Sequence, residues 1–165
     1  MIDEKDKKYL KRCVELAEIA LTKGDEPFGS ILVSASGEIL AEDHNQVAGG
    51  DHTQHPEFAL ARWAAENLTP EERQKATVYT SGEHCPMCAA AHGWVGLGRI
   101  VYASSSKQLV EWLSALGVAP GRVRNLSIGE VFVIRLLMVL TPNWPRKFDF
   151  YKNDSTQNNK KKKAL

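Results

Sequence analysis

Apolar residues recur at steps of three and four near the start of the chain. They are Leu10, Cys13, Val14, Ala17, Ala20 and Leu21. This spacing places them on one face of a helix, which we predict to run from Asp3 to Leu21. A second helix is predicted from Pro56 to Asn67, because proline is favoured in a first helical turn, where no amide donor is needed.

Short runs rich in β-branched, aromatic or aliphatic residues predict strands between and after these helices. The predicted strands are Ser30–Val33, Glu38–Glu42, Thr77–Ser81 and Arg99–Ser105, and two further helices are predicted over Cys85–Gly96 and Lys107–Gly117. Strands that alternate with helices indicate an α/β fold with a layered sheet. For Val131–Leu140, an edge strand and a buried helix both remain open.

The length of 165 residues suits one folded domain with a sizeable core. We assign residues 1–150 to this domain and the polar, lysine-rich residues 151–165 to a tail. No apolar run is long enough to span a bilayer. The first residues are charged where an export signal would be apolar. The sequence therefore predicts a cytoplasmic protein that does not associate with membranes.

The charge of the chain disfavours nucleic acid as a partner. The formal net charge is +1, but Lys160 to Lys163 supply four of the 21 basic residues. The rest of the chain has 17 basic and 20 acidic residues, a formal charge of −3. Phosphate contacts supply most of the affinity for nucleic acids, so a protein that binds them is expected to have a basic surface. The chain without its lysine tail has no such excess of basic residues.

Cys85 and Cys88 lie three residues apart at the predicted start of a helix. Side chains at this spacing share a helix face, and the positive end of the helix dipole favours thiolates. In a reducing compartment such a pair binds a metal, carries out redox chemistry or is inert, rather than forming a structural disulfide. The pair alone leaves these alternatives open.

A His-Pro-Glu sequence, His55 to Glu57, stands at the start of another predicted helix. Between His55 and Cys85 lie 29 residues, enough to return a second helix start beside the first at one edge of a parallel sheet. An H-x-E pair followed by P-C-x-x-C is the signature of zinc-dependent nucleobase deaminases. Here His84 stands in place of the proline of that signature.

The chain resembles the cytidine and deoxycytidylate deaminase superfamily, in the branch that contains guanine, cytosine and tRNA adenosine deaminases. The likeness covers about Leu10 to Ser105, through "EPFGSILV", "EDHNQV", "HPEFALARWA" and "TVYTSGEHCPMCAAAHGWVGLGRIVYAS". It implies a three-layer α/β/α sandwich around a mixed central sheet of about five strands. It also implies a homodimer.

The same resemblance implies roles for individual residues. His55, Cys85 and Cys88 would bind Zn²⁺ and leave its fourth position open, as catalytic sites do, and Glu57 would carry protons during hydrolysis. A rival is a structural zinc site that includes His92. We disfavour it because Cys85 and His92 are about 10 Å apart along the helix axis.

The residues expected to contact the substrate are less sharply defined. The resemblance implies that Asn45 hydrogen-bonds the base or sugar and that Phe28 and Trp94 form walls for an aromatic ring. His84 could donate to the substrate or titrate near neutrality, although a solvent-facing position is the simpler expectation. Residues 126–150 depart from the family, in which this region closes the pocket.

The function expected from these features is hydrolytic deamination of a nucleobase or nucleoside. The segment "AHGWVGLGRIVYAS" is similar to a guanine deaminase helix and favours a purine. Cytosine and adenosine, including adenosine in tRNA, are the alternative substrates. A non-catalytic binding module would be expected to have lost a ligand or Glu57, and all four residues are present. A redox protein would instead cycle a disulfide between Cys85 and Cys88.

Overall fold

The computed structural model of the chain describes residues 2–132 and the backbone of residues 138–140. The elements, in chain order, are α1 Glu4–Thr22, β1 Gly29–Val33, β2 Ile39–His44, a 3₁₀ turn Val47–Gly49, α2 Pro56–Asn67, α3 Pro70–Lys75, β3 Thr77–Thr80, α4 Pro86–Val95, β4 Arg99–Tyr102, α5 Ser106–Ala115, α6 Ile128–Val131 and β5 Met138–Leu140. All predicted helices and strands are confirmed with ends within three residues, and α3 and α6 are additional. The predicted domain end at residue 150 and the tail 151–165 lie outside the described residues.

The central sheet is mixed and has five strands in the order β2-β1-β3-β4-β5. Strand β1 pairs antiparallel with both β2 and β3, while β3, β4 and β5 are parallel. The segment Val131–Leu140, left open by the sequence, ends α6 at its first residue and forms β5 at its last three; residues 133–137 lie outside the described part.

Alternating residues of the strands bury side chains on two opposite faces of the sheet. Ile31 packs with α1 on one face, and the neighbouring Leu32 packs with α2 on the other. In β4, Val101 likewise joins the cluster on the α1 side, while Ile100 packs with α4 and α6. The predicted three-layer α/β/α architecture is therefore confirmed.

The register of the strands defines the edge of the sheet at which the site forms. His44, at the end of β2, pairs with Gly29, and Thr80, at the end of β3, pairs with Ser30 on one side and Tyr102 on the other. The carboxyl ends of β2, β3 and β4 therefore meet at one edge. Strand β1 runs antiparallel between β2 and β3, so the sheet is mixed, as predicted. The edge expected for a parallel sheet still forms, because β2, β3 and β4 run in the same direction.

None of the helices in the described part of the chain has the length and apolar character needed to cross a bilayer.

Candidate active site

Two helices begin at the carboxyl edge of the sheet, and each presents a potential metal ligand at its first turn. His55 precedes α2 with an extended backbone, and Pro56 follows it at the first helical position. Cys85 precedes α4 in the same way, again followed by proline, and Cys88 lies within the first turn of that helix. The positive ends of both helix dipoles therefore point toward the same site.

The three predicted metal ligands lie close together. The Sγ atoms of Cys85 and Cys88 are each 3.6 Å from Nδ1 of His55. All three potential ligand atoms lie within 4.8 Å of one another. Zinc bonds of about 2.3 Å to sulfur and about 2.0–2.1 Å to nitrogen at tetrahedral angles would separate S and N by about 3.6 Å. The residues present therefore fit a zinc ion.

The rival four-ligand site is not formed. His92 is buried, its Nε2 lies 3.0 Å from the carbonyl oxygen of Gly98, and it is not part of the metal-ligand group found among the described residues. Its ring packs edge-on against Phe132 instead. Cys13, predicted to be an ordinary core residue, is fully buried between α1 and the sheet.

The two thiols differ in how readily they lose a proton. A hydrogen bond with Cys88, aided by one with His55, holds the pKa of Cys85 at about 4 despite burial. The hydrogen bond with Cys85, followed by burial and the charge of Glu57, raises the pKa of Cys88. The hydrogen bond to Cys85 raises the pKa of His55. One thiolate is thus favoured even without a cation, and a cation is needed to favour the second.

Glu57 lies in the first turn of α2 with 5 % of its surface exposed. Its Oε1 accepts a hydrogen bond of 2.7 Å from the Thr80 hydroxyl, and its Oε2 lies 3.9 Å from Sγ of Cys88. Burial raises the pKa of Glu57, and the bond from Thr80 partly opposes that effect. The structure therefore brings Glu57 together with His55, Cys85 and Cys88, as predicted.

A cleft of about 180 Å³ opens onto this group. It is lined by Glu26, Phe28, His55, Glu57, Glu83, Cys85, Ser106, Leu109, Leu113 and Asn125. Phe28 thus lies at the cleft, as its predicted contact with a ring requires. Asn45 is fully buried, with Oδ1 accepting from the amide of Val47, and it does not line the cleft.

The structure corrects the expectations for Trp94 and His84. Trp94 is 89 % exposed and does not line the cleft, because the buried face of α4, with Cys88 and His92, lies on the other side of the helix. His84 is 1 % exposed rather than solvent-facing. Burial, followed by the neighbouring His92, lowers the pKa of His84 well below its ordinary value.

Sequence reasoning missed the wall formed by α5 and the carboxylate that holds it. Leu109 and Leu113, four residues apart on α5, line the cleft. The Glu83 carboxylate accepts hydrogen bonds from the first amides of α5 and α6, at Ser106 (2.7 Å) and Ile128 (2.8 Å). The i, i+4 leucine pair was the available signal for this wall, whereas nothing local indicated the partners of Glu83.

Comparison with known proteins agrees with this geometry. Residues 3–104 match the family described as the cytidine and deoxycytidylate deaminase zinc-binding region. A probable cytosine deaminase of Schizosaccharomyces pombe is 32 % identical over 72 % of this chain and 72 % of its own length. A tRNA-specific adenosine deaminase of Bacillus subtilis is 35 % identical over 77 % of this chain and 74 % of its own.

The guanine deaminase of Bacillus subtilis is 35 % identical over 62 % of this chain and 67 % of its own length. A solved structure of that enzyme matches with a TM-score of 0.56 at 24 % identity and covers 95 % of each chain, which supports the fold. The matched residues include the His55, Cys85 and Cys88 group and the adjoining Glu57. The chain therefore belongs to the cytidine and deoxycytidylate deaminase family.

Proposed function

We propose that this chain binds Zn²⁺ through His55, Cys85 and Cys88 and hydrolyses the exocyclic amine of a nucleobase or nucleoside, with a purine base as the preferred substrate. The observation that carries the proposal is a buried carboxylate, Glu57, beside a three-residue ligand group at a small cleft. Bound zinc would lower the pKa of water and so supply a nucleophile at neutral pH.

The role of Glu57 follows from its two oxygens. Oε1 is held by Thr80, so Oε2, on the side of Cys88, is the oxygen available for proton transfer. It takes a proton from the attacking water and delivers it to a ring nitrogen as the carbon–oxygen bond forms. It then takes the remaining proton from the newly formed hydroxyl group and delivers it to the leaving amine, which departs as ammonia when the carbon–nitrogen bond breaks. Water is consumed, and a carbonyl replaces the amine.

The cleft favours a small, uncharged substrate. Its volume of about 180 Å³ lies below the roughly 300–1,000 Å³ that is usual for drug-sized ligands. Glu26, Glu57 and Glu83 line it, and no Lys or Arg from the described part of the chain does. A phosphate group would be repelled there, which favours a free base or nucleoside over a nucleotide or tRNA.

The preference for a purine rests on the likeness to guanine deaminase, in the α4 segment and in 35 % identity to the Bacillus subtilis enzyme. Similar identities to a cytosine deaminase and to tRNA-specific adenosine deaminases keep those substrates as alternatives. We also propose that the protein is cytoplasmic, because its cysteines are reduced, and that it forms a homodimer, because it resembles the family. Sedimentation of the purified protein as a monomer would contradict the dimer.

The test is ammonia release by zinc-loaded protein from guanine, adenine, cytosine, their nucleosides and an adenosine-bearing anticodon loop, with Glu57→Ala as the control. We expect turnover of a purine base that the variant lacks. Turnover of cytosine or of the anticodon loop alone would replace the purine assignment. Zinc-bound protein that is inactive on the whole panel would contradict the proposed function and favour a binding module.

A further inference from the structure

Two buried hydroxyl groups form a chain of hydrogen bonds that ends on the Glu57 carboxylate. The Ser30 hydroxyl donates to Oγ1 of Thr80 over 2.8 Å, and the Thr80 hydroxyl donates to Oε1 of Glu57 over 2.7 Å. Ser30 and Thr80 have no exposed surface. This chain lies outside the metal-ligand group and is not explained by it.

The sheet register produces this arrangement. Ser30 and Thr80 are directly paired across the antiparallel β1 and β3 strands, so their side chains project from the same face. Two residues further into the sheet, the same face carries Leu32 and Val78, which pack in the core under α2. On this face of the sheet, the pair Leu32 and Val78 is therefore followed by the hydroxyl pair Ser30 and Thr80, which lies beside the first turn of α2 and Glu57.

The direction of the hydrogen bonds is fixed by the proton count. A hydroxyl has one proton to donate, so Thr80, which donates to the carboxylate, must receive the proton of Ser30. Both donors therefore point toward Glu57. Bonds to an ionised acceptor are stronger than neutral ones, and in a buried site they also restrict rotation of the acceptor.

We infer that Thr80 is a positioning residue, supported by Ser30, which fixes Oε1 of Glu57 and leaves Oε2 turned toward the reacting groups. The inference rests on the proposed function, because it assigns Thr80 a role through Glu57. The alternative is that the hydrogen bond between Ser30 and Thr80 only stabilises the pairing of β1 with β3. In that case its removal would not affect proton transfer by Glu57.

The experiment compares Thr80→Val, Thr80→Ser and Ser30→Ala with wild type, with Thr77→Val, the same change on the same strand away from Glu57, as the matched control. We expect Thr80→Val to lower kcat about 10- to 100-fold with little change in KM or zinc content, since small misplacements of a catalytic group have effects of this size. Thr80→Ser should recover most of the loss. Ser30→Ala should lower kcat only a few-fold, and Thr77→Val should not change it.

Two further measurements separate positioning from folding. In a Glu57→Gln background, Thr80→Val should cause no further loss of kcat, because the residue acts through the carboxylate. A crystal structure of Thr80→Val should show the Glu57 side chain displaced from its wild-type position. Wild-type activity in Thr80→Val, or an unmoved Glu57, would overturn the inference while leaving the proposed function intact. An inactive wild type would instead contradict the proposed function.

Discussion

A buried carboxylate near the N-terminus of α1 joins that helix to the sheet, and its removal gives a testable loss of stability. Asp6 accepts two parallel hydrogen bonds of 2.8 Å from the guanidinium of Arg99 and one of 2.7 Å from the hydroxyl of Tyr79. Its Oδ2 also accepts from the amide of Asp3. Asp6→Asn keeps the volume but turns one acceptor into a donor that faces another donor.

We expect Asp6→Asn to lower the free energy of unfolding at pH 7 by about 3 kcal/mol, because one charge-assisted bond is lost and the Arg99 guanidinium loses its opposite charge. Urea unfolding measures this loss. The matched control is Glu4→Gln on the same helix, which breaks an exposed pair with Lys7 and should cost less than about 0.5 kcal/mol. Equal losses in the two variants would refute the reasoning.

The pH dependence of the same variant gives a second readout. Burial alone would raise the pKa of Asp6, but the bonds from Arg99 and Tyr79 outweigh it and lower the pKa below its ordinary value of 3.8. The native state therefore holds this proton less tightly than the unfolded state. The contribution of the Asp6 carboxylate to the free energy of unfolding is therefore fully present above about pH 4. It is lost as the pH falls through the native pKa of Asp6. The difference between wild type and Asp6→Asn should shrink below pH 4, and a constant difference would contradict the assignment.

Three further predictions concern packing, the cleft wall and the metal. A Cβ at Gly98 would lie 2.8 Å or less from two backbone carbonyl oxygens, so Gly98→Ala should destabilise the fold by about 1–3 kcal/mol in urea unfolding, whereas Gly49→Ala, with open space around it, should not. Glu83→Gln should speed amide exchange at the start of α5 or of α6 and raise KM while zinc content is unchanged, because one of the two helix amides loses its acceptor. Unchanged exchange at both helix starts would contradict this. A chelator should lower the melting temperature of wild type but not of Cys88→Ala, and equal shifts would contradict the ligand assignment.

The metal-ligand group could be predicted from the sequence because its parts are local. Proline after His55 and after Cys85 marks two helix starts, and the spacing of the cysteines fixes one shared helix face. The 29 residues between His55 and Cys85 are enough to bring the two helix starts together. Helix α3, which was not predicted, has an equally local signal in the capping box between Thr69 and Glu72.

The parts that could not be predicted depend on which surfaces are covered. Helix α4 is apolar on most sides, so its sequence does not indicate that Trp94 faces solvent while His92 and the neighbouring His84 are buried. The bond from Ser30 to Thr80 depends on the register between β1 and β3, which a single strand does not encode. The order of the strands likewise follows from packing of the whole sheet.

The most direct test of the central claim is the mass of the product formed in oxygen-18 water. Zinc-loaded wild type should convert a purine base into a product in which one oxygen-18 atom replaces the exocyclic amine, with one ammonia released for each product. Glu57→Gln with the same zinc content should form this product at least about 100-fold more slowly. Labelled product formed equally fast by both proteins, or an unaltered base after incubation with the whole set of candidate substrates, would contradict the account.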